Sequence, residues 1–253
     1  RTWIESELFK HDPEAFMAMI RPPGFLVTYD YPPVFALFCM PFTFTDLFGF
    51  AAIWWLLTVG LYLLCIMEVT RNLRLKLVLC AAALHFPPFL NHLRFGSTVV
   101  IVMGLALLFG SFGIALAGWF KLYPWVLALR RDGRMRPVLA WSAILGIAGL
   151  AATHGDIQPF YEWMSNLRQY QHAAGLNNAA TWIRVGMALV LLVISLVKRW
   201  HPAIVLAIGQ GLSPVWWPGY WCAFVPVAAM GIERALERLW PLLHRRMLRS
   251  ATA

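Results

Sequence analysis

"STVVIVMGLALLFGSFGIALAGWFKLYPWVLAL", residues 97–129, holds 33 residues and one charge, Lys121. A helix needs about 20 apolar residues to cross a bilayer. The stretch is therefore too long for one straight span and too short for two full ones. Two interruptions divide it, Gly110-Ser111 and Lys121-Leu122-Tyr123-Pro124. Its flanks constrain how it folds. Arg71, Arg74 and Lys76 precede it, and Arg130, Arg131, Arg134 and Arg136 follow it. Under the positive-inside rule both clusters are cytoplasmic, so the chain between them crosses an even number of times. One crossing falls at about 75–90, which leaves an odd number for 97–129. Two independent spans broken at Gly110 would put four arginines on the wrong side. The expectation is one crossing combined with a half-membrane hairpin, or a helix broken at Lys121–Pro124.

Composition agrees with a bilayer setting. Of 253 residues 60% are hydrophobic and only 13% charged, where soluble domains carry roughly 25% charged residues. Such a chain cannot build a polar skin. The net charge of +9 does not indicate nucleic acid, because the cations sit in short clusters between apolar runs. Lys198 with Arg199, and Arg245, Arg246 and Arg249, complete that pattern. Cys39, Cys65, Cys80 and Cys222 lie in apolar runs without C-x-x-C spacing, and read as small buried hydrophobes. The first thirty residues have no signal-peptide pattern.

The expected architecture is all-α, a polytopic membrane bundle of about seven to nine helices or half-helices. Residues 1–30 form an outer-face amphipathic and loop segment. Residues 31–232 form the bundle, and 233–253 a basic cytoplasmic tail suited to anionic lipid. Helices are expected at about 32–44, 46–69 (capped by Thr45-Asp46), 75–90, 137–153 and 182–197, with a split run over 202–232. Polar breaks at 91–96, 154–180 and 213–221 gather with the N-terminal segment on the non-cytoplasmic side, where a site would form. No internal repeat, Walker loop, dinucleotide fingerprint, HExxH or GxSxG is present.

Four blocks resemble one family. "YDYPPVFALFCMPF" (29–42) is similar to the Tyr-Pro-Pro segment of the bacterial polyprenyl-phosphate-mannose-dependent α-mannosyltransferases, glycosyltransferase family 87. "GIALAGWFKLYPWVLAL" (113–129) resembles its Gly-rich helix ending in Lys-x-x-Pro. "GLNNAATWIR" (175–184) and "LSPVWWPGYWCAFVPV" (212–227) resemble its later Asn-containing and Ser-Pro-x-x-Trp segments. The resemblance implies a GT-C fold in the bacterial inner membrane. It implies inverting transfer of a sugar from a polyprenyl-phosphate donor to a lipid or glycan acceptor on the outer face. Family members take their general base from an acidic residue in the first outer loop, about thirty positions before Tyr-Pro-Pro. That position falls at or before Arg1, so an N-terminal segment is expected to precede this sequence. Asp12 and Asp30, with Glu5 and Glu7, are substitutes by position.

The residue chemistry fits such a reaction. A carboxylate can take the acceptor's proton, and fixed cations stabilise the charge that grows on the leaving phosphate. Lys121 is the main candidate for donor phosphate; the plainer reading is a snorkelling lysine at a helix break. His92 and Arg94 are candidates for phosphate or sugar contact, or for interfacial anchoring. Asp30, beside Tyr29 and Tyr31, either contacts sugar or complements the positive end of the helix that Pro32-Pro33 begins. Asp156, in "THGD", is an acid/base candidate or part of a solvated turn.

Relatives often carry a histidine after the Ser-Pro-x-x-Trp tryptophan, where this chain has Pro218-Gly219-Tyr220. Tyr220 is the substitute. Gly96-Ser97 stands where the family often has Gly-Gln. Trp217, with Trp216 and Trp221, either stacks on sugar or belongs to an interfacial belt. His85 reads as a hydrogen-bonded residue of the bundle. No Asp-x-Asp motif occurs, so neither metal nor cofactor is expected. From another class, the alternative is a non-catalytic or degenerate membrane protein, a lipid-binding or transport component.

Overall fold

The computed structural model describes residues 33–42, 44–95, 98–130, 134–161, 179–212 and 218–251. Within them the fold is all-helical and contains no strand. Three helices are long and apolar enough to cross a membrane: α2 (Leu47–Val69), α7 (Met135–Ala152) and α8 (Ala179–Val197). A fourth crossing is available from a bent pair, α3 (Leu73–Leu84) and α4 (Pro87–Phe95), which meet at 62°. The bend has a local cause. Pro87 and Pro88 lack the N–H groups that would continue α3, and they sit in the first turn of α4, where none is needed. Before α2 comes a short helix, α1 (Pro33–Cys39), that begins at the second proline of the Tyr-Pro-Pro segment.

Caps mark where these helices start. The Asp46 carboxylate accepts from Gly49 N–H at 2.7 Å at the head of α2, and Asn72 Oδ1 accepts from Leu75 N–H at 3.1 Å at the head of α3. Each satisfies a backbone donor that the helix itself leaves open.

Residues 97–129 resolve into two half-length helices. α5 (Val99–Leu108) and α6 (Gly110–Phe120) have ten and eleven residues, about 15 Å each and half the hydrocarbon thickness. The chain folds back between them at Phe109–Gly110, and Gly110 has φ +57°. Gly113 lies so close to Leu105 that a Cβ there would sit 1.9 Å from the Leu105 carbonyl oxygen. In a continuous helix those residues would be about 12 Å apart. α5 and α6 pack on each other more extensively than any other described pair. Val99 to Ala106 are all buried. This hairpin, with α2 across Gly104 and Leu61, is the centre of the molecule. Lys121 then breaks the chain again, and a 3-10 segment, Tyr123–Leu129, leads to Arg130.

The last third follows a similar plan. A short helix, α9 (Pro202–Gly209), continues through the 3-10 turn Gln210–Leu212. A second 3-10 segment, Pro218–Phe224, packs against α4 and α5 and leads into α10 (Val225–Ala251). The expected break at 91–96 is not a loop up to Phe95: Asn91, His92 and Arg94 are in α4. Nor does α10 stop at residue 232; it runs unbroken into the basic segment. At the first site polarity suggested a loop, but Asn91, His92 and Arg94 continue a helix packed against Pro218–Phe224.

Candidate functional site

A polar seam runs through the apolar interior. Its first part joins residues that are far apart in sequence. Lys121 is half-buried and closes α6 in an extended conformation, its N–H bonded to Ala117 O at 2.9 Å. Two residues on, the Tyr123 ring lies on Gly209, where a Cβ would come within 2.6 Å of it. The Tyr123 hydroxyl accepts a hydrogen bond from Nε2 of Gln210, which is fully buried. Tyr220 is buried and within electrostatic range of the Tyr123 hydroxyl.

The second part lies on the other side of Pro218–Phe224. The Tyr62 hydroxyl faces the Cys222 thiol without an aligned hydrogen bond. The Tyr62 ring stacks on Phe89 with centroids 4.2 Å apart, and Phe89 stacks in turn on His92 at 6.4 Å. His92 is 1% exposed. It is a buried ring of the bundle and does not stand on an outer loop.

From the loop at Lys198–His201, the eight residues of α9 rise about 12 Å to Gly209 and Gln210. From Arg130, the seven residues of Tyr123–Leu129 rise about 14 Å to the same point. Both paths put Tyr123 and Gln210 about 12–14 Å from the basic loops. At the foot of both, His201 is within electrostatic range of Arg130, Arg234 and Glu68. Close by in the chain, the Glu233 carboxylate accepts from the N–H groups of Arg71 and Asn72, at 2.7 Å each. Arg71, from the basic cluster at 71–76, is thereby tied to α10.

The candidates divide accordingly. Lys121 and Tyr220 flank Tyr123 in chain and in space, and His92 joins them through Phe89, Tyr62 and Cys222. Asp156 is elsewhere. It is exposed in the turn after α7, and its carboxylate accepts from Gln158 N–H at 2.8 Å. That turn is a Schellman-type stop, with Gly155 N–H bonded to Leu150 O and His154 at φ +53°. The solvated-turn reading of "THGD" describes it. His85 Nδ1 lies 2.9 Å from Ala81 O at the α3–α4 bend. Arg94 is in α4, two residues beyond His92. Asp12, Asp30, Tyr31 and Trp217 lie outside the described residues.

Tyr123, Gln210 and Tyr62 were not singled out from sequence. A signal existed for Tyr123, two residues from Lys121 in the Lys-x-x-Pro block. No local signal pairs it with Gln210. Among the described residues no three His, Cys, Asp or Glu side chains group as cation ligands.

Comparison with protein-family models matches residues 29–246 to glycosyltransferase family 87. The chain belongs to that family. Comparisons with curated proteins and with solved structures give no match. Family 87 membership, with the three to four apolar helices long enough to cross a membrane among the described residues, makes this a membrane glycosyltransferase, acting between a sugar donor and an acceptor. In this family 87 chain the match covers the hairpin, the seam and most of α10. It begins at Tyr29, four residues before α1.

Proposed function

We propose that the chain transfers a hexose, mannose by its family resemblance, from a polyprenyl-phosphate donor to a lipid or glycan acceptor. The face is the non-cytoplasmic one, and the membrane the bacterial inner membrane. The reaction is a single inverting displacement without a metal. The acceptor hydroxyl oxygen forms a bond to the anomeric carbon as the bond from that carbon to the phosphate oxygen breaks. Its proton passes to a carboxylate, for which Asp30 and Asp12 are the candidates on this chain. The electron pair leaves with the polyprenyl phosphate, which gains negative charge.

One observation carries this reading. A half-length helix ends at half-buried Lys121, two residues before Tyr123, whose hydroxyl meets Gln210 and lies near Tyr220. A cation in an apolar run is costly unless it is paired or has a role, and a low-dielectric setting makes it an effective partner for a growing phosphate charge. Tyr220, Arg94 and His92 are the accompanying candidates for donor contact. Trp217 and Tyr31 are candidates for stacking on sugar, and Asp156, in its exposed turn, for donor phosphate or sugar contact.

The test uses membranes that contain the full-length protein, supplied with labelled polyprenyl-phosphate mannose. Lys121→Ala should lower kcat by about a hundredfold, the scale for loss of one charge-stabilising group. Lys121→Arg should restore part of it, and both variants should keep the wild-type unfolding temperature. Transfer by folded Lys121→Ala at the wild-type rate would refute the role of Lys121. Absence of transfer by the wild type would favour a non-catalytic, lipid-binding protein.

A further inference from the structure

The loop between α8 and α9 has an unusual conformation. α8 ends in a second Schellman-type stop: Trp200 N–H bonds to Ser195 O at 2.9 Å and Arg199 N–H to Leu196 O at 3.3 Å. The left-handed residue of this stop is Arg199, φ +51°, at a position that glycine fills without steric cost. The turn sets Arg199 on the rim of a pocket of about 370 Å³, together with Trp200, His201, Ile204 and Arg234.

The pocket's charge is lopsided. Arg199 and Arg234 line it, and Arg130, half-buried, is near His201. Glu68 is the nearby carboxylate that opposes them. Glu233, next to Arg234 in the chain, does not compensate, because its carboxylate is turned to the N–H groups of Arg71 and Asn72. His201 uses Nδ1 to accept from Ala203 N–H at 3.3 Å and so caps the head of α9 at the pocket's edge. Two arginines lining one pocket with apolar Ile204 suit a tetrahedral oxyanion.

The surroundings favour an oxyanion with an apolar tail. α8 enters the loop through exposed Val190, Val193, Ile194 and Val197, a face that meets acyl chains in a membrane. Trp200 stands at its end, where indoles mark the membrane interface.

We propose that this pocket is a binding site for the phosphate headgroup of an anionic phospholipid, separate from the Lys121 seam. The phosphate lies between Arg199 and Arg234, and an acyl chain follows the exposed face of α8. The basic segment at the end of α10 adds diffuse attraction, whereas the pocket adds headgroup recognition.

The experiment uses the full chain, purified in neutral detergent, and follows its unfolding temperature during titration with phosphatidylglycerol, phosphatidylcholine or inorganic phosphate. Phosphatidylglycerol should raise the unfolding temperature saturably and phosphatidylcholine should not. Arg199→Gly, alone and with Arg234→Gln, is the informative change, since glycine relaxes the left-handed turn and so preserves folding. Each substitution should weaken half-saturation about tenfold, the scale of one lost charge-assisted contact. Arg238→Gln, outside the pocket, should leave it unchanged. Equal stabilisation by phosphatidylcholine, or an unchanged response in the folded double variant, would overturn the site. Stabilisation by inorganic phosphate at the same concentrations as phosphatidylglycerol would overturn the lipid assignment in favour of a soluble phosphate.

Discussion

Glu233 ties α10 to the turn between α2 and α3, and its removal has a calculable consequence. Its carboxylate is 7% exposed and accepts two backbone N–H groups at 2.7 Å, more than 160 residues away in sequence. Hydrogen bonds to a charged group contribute about 1.5–3 kcal/mol each. Both bonds here share one oxygen, and the Arg71–Asn72 turn is exposed, so water recovers part of the loss. About 2 kcal/mol is then the expected cost of Glu233→Ala, or about 30-fold in the open population of the turn. Trypsin reads that population at Arg71 and Arg74, provided that the turn recloses faster than it is cut. Initial cleavage there, normalised to cleavage after Arg134, should rise about 30-fold in Glu233→Ala. It should rise only several-fold in Glu233→Gln, which keeps an acceptor. Glu237→Ala, one turn along on an exposed face, should change nothing. Wild-type cleavage in Glu233→Ala would show that the two bonds do not hold the turn closed.

Two other substitutions probe the hairpin and the loop. Gly113→Ala would drive a methyl group into the Leu105 carbonyl and should cost at least about 3 kcal/mol, seen as loss of monodisperse protein; Gly186→Ala, which meets nothing within 4 Å, should gain up to about 1 kcal/mol. A Gly113→Ala protein with the wild-type unfolding temperature would contradict the fold-back. Burial, then Arg130 and Arg234, hold the His201 pKa below its ordinary 6.5, against Glu68. The unfolded chain therefore takes up this proton first on acidification. The stabilisation is whole above about pH 6.5 and is lost as pH falls toward the depressed folded value. The unfolding temperature should fall between about pH 7 and 5, and His201→Asn, which can still cap α9, should remove part of that fall. An identical pH profile in the variant would exclude His201 as its source.

Apolar run lengths, caps and charge clusters determined much of this protein by themselves. Asp46 announces α2, and three basic clusters mark the chain's returns to one rim, whereas the single helix expected over 75–90 is broken at Pro87-Pro88 into α3 and α4. Such features are local, since a cap or a proline acts within one turn. The parity of those clusters even required the 97–129 stretch to be something other than two plain spans.

What only the tertiary structure decided is which polar groups meet. Tyr123 finds Gln210 across 87 residues, and Glu233 finds Arg71 across 162. His92 and its neighbours looked like a loop, yet they extend a helix whose His92 ring is buried against Phe89. The physical reason is the solvent. In water a buried face announces itself by being apolar, but in a bilayer the outward and inward faces are both apolar, so periodicity cannot tell them apart. Helices there are matched by close approach at small residues and by satisfaction of scattered polar groups, and those pairings exist only once the chain has folded.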